Sequence, residues 1–169
     1  YHLRQPQSRF ARLDRFAGGR RRRGSALVEF ALSFGLLFSV FAGVFQFGYT
    51  FYIYNQLVNA VGNGARYAAQ RTYRAATDQD VERGNQAIRN LVVYGDAQAA
   101  TDAAPVVANL KPENVEVRWI LNGDGAPAAV NVAIRGFSAD AAIQAFSFDG
   151  RPSVEFPYVG RYAPAESEP

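Results

Sequence analysis

The feature that most constrains this chain is the junction Arg20-Arg21-Arg22-Arg23-Gly24-Ser25-Ala26-Leu27-Val28-Glu29-Phe30, where a basic run, a glycine and one glutamate precede a long apolar stretch. From Phe30 to Ile53 the one strongly polar side chain is Gln46. At about 1.5 Å per residue this stretch makes a helix of about 36 Å, longer than the roughly 30 Å hydrocarbon core of a bilayer. The sequence therefore predicts a single membrane span over about residues 30–54.

Charge sets the expected orientation. Arg4, Arg9, Arg12, Arg15 and Arg20, Arg21, Arg22, Arg23 all precede the span, and arginines are retained on the cytoplasmic side of a single crossing. The four adjacent arginines are thus read as a topology signal, with residues 1–24 as a basic cytoplasmic leader and the C-terminal part outside the cytoplasm. From Ser25 onward the balance reverses, with ten Lys and Arg against fourteen Asp and Glu. A basic run directly before a span is explained by topology, so no nucleic-acid partner is expected.

Beyond Tyr54 the apolar positions Leu57, Val58, Val61, Ala65, Ala68 and Ala69 recur at helical spacing, which predicts that the spanning helix continues as an amphipathic one. Taken over residues 25–76, it would be roughly 78 Å long. Gly62 and Gly64 weaken it by about 1 kcal/mol each relative to Ala, which marks a candidate kink. Thr77 or Asp78 can cap a second helix running to about Val93, with Asp80 and Glu82 in its first turn and Gly95 as its stop. Residues 97–110, alanine-rich and broken by Pro105, read as irregular chain.

Val115, Val117 and Trp119 alternate with Glu116 and Arg118, a turn follows at Asn122-Gly123-Asp124-Gly125, and Val130, Val132 and Ile134 alternate again, which is a β-hairpin. Residues 153–159 read as a third strand held at an edge by Pro157, and residues 139–146 as a short helix. The fold class is α+β: a long N-terminal helix, a second helix and a small antiparallel sheet in an exported domain over residues 77–169. The outer half of the long helix is expected to cover the apolar face of the sheet.

The chain offers little to catalysis. Cysteine is absent and the one histidine, His2, lies in the leader, so no thiol nucleophile or thiolate metal site is available. No enzyme activity, cofactor, metal or small-molecule substrate is expected. Asn122 to Gly125 lacks the spaced ligands of a calcium loop and reads as a turn. Asp78, Asp80 and Glu82 read as helix-start acids.

Glu29 remains to be accounted for, because a carboxylate at the bilayer edge needs a cation. Cutting the chain between Gly24 and Ser25 would supply one: the new α-amino group would lie four residues before Glu29, about 6 Å along the same helix. Packed beside a similar subunit, the carboxylate could meet a neighbouring amine in a medium of low dielectric. Signal-peptidase cleavage after Val40-Phe41-Ala42 is a competing route, weakened by the eleven residues that continue apolar through Ile53.

The step from Gly24 to Glu29 before an apolar helix resembles the prepilin-peptidase site of type IV pilins and pseudopilins. With Phe45-Gln46-Phe47-Gly48, Tyr54-Asn55-Gln56-Leu57-Val58-Asn59-Ala60 and Gly64-Ala65-Arg66-Tyr67-Ala68-Ala69, residues 21–70 resemble the N-terminal region of TadE-like proteins of tight-adherence (Flp) pilus systems. The family often has a proline within the apolar run where this chain has Ser33-Phe34-Gly35. The resemblance implies a pilin-like subunit of the bacterial inner membrane, with a periplasmic or extracellular domain. Its implied processing residues are Gly24, Ser25 and Glu29, and its implied partners are prepilin peptidase, other pilins or pseudopilins and the pilus-assembly machinery. The alternative from sequence is a single-pass anchored binding or scaffold module whose span is only an anchor.

Overall fold

The computed structural model describes residues 20–74, 77–100, 102–140 and 144–163, with side chains from Gly24 onward. Of the expected leader over residues 1–24, residues 1–19, His2 included, lie outside these residues, and residues 20–24 are helical. Among these residues two α-helices, α1 (Arg20–Gln70) and α2 (Asp78–Tyr94), accompany seven strands: β1 (Tyr73–Arg74), β2 (Val115–Leu121), β3 (Pro127–Ile134), β4 (Phe137–Ala139), β5 (Phe146–Phe148), β6 (Ser153–Pro157) and β7 (Tyr162–Ala163). The chain divides into two units, one ending at Val44 and the other beginning at Phe45.

In the first unit the large apolar side chains of the helix from Leu27 to Val44 are all more than half exposed. Phe30, Phe34 and Phe38 stack along one face with ring centres 6.1 and 6.2 Å apart. Such a surface is unfavourable in water and suited to lipid or to partner helices.

The second unit is an α+β domain. The later turns of α1 bury Ile53, Leu57, Ala60, Val61, Ala65, Ala68 and Ala69, a stripe at helical spacing. Against it stand Ile88, Val92 and Val93 of α2, and Val115, Val130, Val132 and Ile134 of the sheet, in one core. The helix runs unbroken through Gly62 and Gly64. Gly64 is buried because Val92 and Ile88 lie where its side chain would be, whereas Gly62 faces open space.

The helix ends at Gln70, short of the expected residue 76, and residues 75–76 lie outside the description. Tertiary bonds take over from helical ones at this point. The Tyr73 amide donates to the Arg161 carbonyl at 2.9 Å as β1 pairs in parallel with β7. The Tyr158 hydroxyl accepts from the same amide at 2.9 Å and lies 2.9 Å from the Arg71 carbonyl.

Helix α2 starts where its cap predicts: Thr77 Oγ1 accepts from the Asp80 amide, and Gly95 closes it in the left-handed conformation at φ 76°. Strands β2, β3 and β6 form an antiparallel sheet in that order, Trp119 opposite Val130 and Val132 opposite Val154, with Pro157 on the edge strand β6. The expected helix over residues 139–146 is replaced at its described ends by the antiparallel pair β4 and β5, while residues 141–143 lie outside the description. Phe-Ser-Ala and Phe-Ser-Phe alternate with a period of two, and the Phe137 and Phe148 rings stack at 6.1 Å.

Candidate processing and assembly site

Gly24, Ser25 and Glu29 all lie within α1, preceded by the helical backbone of Arg20 to Arg23. Ser25 and Glu29, four residues apart, share a face, with about 6 Å of rise between them. All three residues are exposed, and a side chain added at Gly24 would meet nothing within 4 Å. Among the described side chains, no cation lies within salt-bridge distance of Glu29. A backbone cut before Ser25 would place an ammonium group one helical turn from this carboxylate and leave a helix N-terminus, which favours negative charge close by.

Beyond Glu29 the same helix supplies contact surface. Ala31, Gly35, Ser39 and Gly43 step by four residues, and Ser39 Oγ turns back to the Gly35 carbonyl at 2.8 Å, so this stripe has no bulky side chain. A stripe of small residues permits close helix approach in a membrane. Among the described residues, one helix is long and apolar enough to cross a bilayer, and it is this one.

Gln46 is the position whose role the sequence left open. Its side chain is buried, and Nε2 donates to the Gln144 carbonyl at 2.8 Å. The polar residue of the apolar run is thus held by the segment before β5. Nothing in the local spacing around Gln46 points to a partner 98 residues away.

Elsewhere the acids are used structurally. Asp80 Oδ2 accepts from the hydroxyl of the N-cap Thr77, Glu82 pairs with Arg89, and Asn122 Oδ1 accepts from the Asp124 and Ala126 amides within the hairpin turn. Among the described residues, no cluster of three or more His, Asp or Glu is placed to hold a metal ion. A second feature that sequence reasoning missed is a cleft lined by Arg71, Arg74 and Arg83, which fall on three different elements or connections.

No curated protein and no solved structure matches the chain. The model of the TadE-like protein family matches residues 24–66, opening at Gly24 and taking in Glu29, the exposed apolar turns and most of the core-facing stripe of α1. Over that segment the chain is TadE-like, in agreement with the motifs read from its sequence.

Proposed function

We propose that this chain is a pseudopilin-like subunit that supports assembly of tight-adherence (Flp) pili, processed between Gly24 and Ser25 and acting through helix packing and not through catalysis of its own. The observation that carries the reading is the TadE-like match beginning at Gly24, with Glu29 five residues on and an exposed apolar helix behind it. The cytoplasmic side holds Arg20 to Arg23, and the folded unit lies outside the inner membrane. Prepilin peptidase supplies the cleavage chemistry. Glu29 then pairs with the N-terminal amine of a neighbouring subunit, where low dielectric strengthens the attraction.

The test is intact mass and N-terminal sequence of membrane-extracted protein, made with and without a prepilin peptidase. A peptidase-dependent start at Ser25 is the expected result. An uncut chain would overturn processing and leave an anchored protein, and a start at Gly43 would overturn the membrane architecture. Replacing Glu29 by Ala should abolish incorporation into the assembly and leave membrane insertion intact; normal piliation in that variant would remove the charge-pairing step.

A further inference from the structure

The folded unit carries a cleft of about 410 Å³ formed by the end of α1, β1, the first turns of α2 and Trp119 of β2. Three arginines line it, Arg71, Arg74 and Arg83, against one acid, Asp80. Arg71 is fixed in place: Nη1 donates to the Gly84 carbonyl at 3.0 Å, and the guanidinium lies 5.6 Å from the centre of the Tyr67 ring. Neither contact neutralises its charge. Asp80 lies 3.5 Å from Arg83 and also takes the Thr77 hydroxyl, so it is already engaged. Among the described residues, no carboxylate is within salt-bridge distance of Arg71 or Arg74. Beside them Tyr73 and Trp119 pack with ring centres 4.7 Å apart.

We infer that this cleft binds a short acidic peptide segment of a partner protein, its carboxylates on Arg71 and Arg74 and an apolar side chain against Tyr73 and Trp119. Guanidinium groups match carboxylates in two-point geometry, and an arginine already stacked and hydrogen-bonded loses little freedom on binding. Cavities of this size hold a few side chains. A long polyanion fits poorly, because nucleic acid needs an extended basic track. From Ser25 onward this chain has fourteen acids against ten basic residues. The inference stands independently of cleavage after Gly24.

The experiment uses the full chain in detergent micelles and a fluorescein-labelled Gly-Glu-Phe-Glu-Gly peptide, read by fluorescence anisotropy at low salt. Its Gln counterpart should bind at least about tenfold more weakly, and Arg71→Gln should cost a similar factor. Because Arg71 also holds Gly84, the exposed Arg74 provides the second variant: Arg74→Glu should weaken binding at least about tenfold with an unchanged near-UV spectrum. Equal affinity for the two peptides, or full affinity in the folded Arg74→Glu variant, would overturn the inference. Displacement of the peptide by a single-stranded oligonucleotide that itself binds tighter would overturn it in favour of a nucleic-acid site.

Discussion

Glu116 on β2 lies between two arginines, Arg135 Nε at 2.8 Å and Arg118 Nη2 at 2.9 Å. The hydrogen bond from Arg135, then that from Arg118, holds its carboxyl below the usual value of 4.5. A carboxyl lowered in this way favours the folded chain at pH above its unfolded value, and the advantage is lost as pH falls through the folded value. Glu116→Gln should therefore lower the melting temperature near neutral pH and converge with the parent in acid. The group is partly open to solvent, so the difference should be below about 1 kcal/mol; thermal unfolding across a pH series checks it. Asn85 is a stronger case. It is buried on α2 and its Oδ1 accepts from Trp119 Nε1 at 2.9 Å, joining helix to sheet. Asn85→Ala leaves the indole donor unpaired beside the core, and denaturant unfolding should show a loss of about 1 to 3 kcal/mol.

At the scale of elements, two glycines about half a turn apart in α1 have opposite roles. Gly62 faces open space and Gly64 faces Val92. Gly62→Ala should stabilise the folded unit by about 1 kcal/mol through backbone entropy, whereas Gly64→Ala should destabilise it by about 1 to 3 kcal/mol through overpacking. Adding Val92→Ala to the Gly64 variant should recover part of that loss, as unfolding of the single and double variants would show. Their shared sequence penalty was legible, but which glycine meets a neighbour is a tertiary fact. The same division holds along the chain. Thr77, Gly95 and the alternation around Trp119 act locally, so α2 and the β2 to β3 hairpin could be read from sequence. The end of α1 could not, because Tyr158 and Arg161 capture Tyr73 from some 85 residues away. Phe137-Ser138-Ala139 and Phe146-Ser147-Phe148 do alternate, yet each run is three residues long, too short to outweigh the helical propensity of the alanines between them. The proposed processing residues are a matter of local spacing, Gly24 to Glu29, and so could be nominated from sequence, while the arginine cleft could not, since folding alone gathers Arg71, Arg74 and Arg83.

For the whole molecule, the question is which part of α1 the bilayer surrounds. Residues 24–44 make a helix of about 32 Å, close to the hydrocarbon thickness, and the large apolar side chains from Leu27 to Val44 are exposed. From Gln46 onward the helix contributes to the folded unit: Gln46 is buried, Ile53 joins the core, and the Tyr54 ring stacks with Phe148 at 6.3 Å. Tyr49, Tyr52 and Tyr54 are suited to the interface that follows, where aromatic rings with a polar tip are favoured. The span is therefore expected to leave the hydrocarbon between Val44 and Tyr54, and the orientation proposed from the arginine run would put the folded unit outside the cytoplasm. The absence of native cysteine makes this testable by single substitutions labelled in intact cells with a membrane-impermeant maleimide. Asn59→Cys, at an exposed position of α1, should be labelled from outside without lysis, and Ser39→Cys, within the apolar run, should resist labelling on either side. Labelling of the Asn59 variant only after lysis would reverse the orientation and separate the arginine run from its topological role. Ready labelling of the Ser39 variant would instead place residues 24–44 in contact with water, a position their exposed phenylalanines could hold only if partner helices covered them.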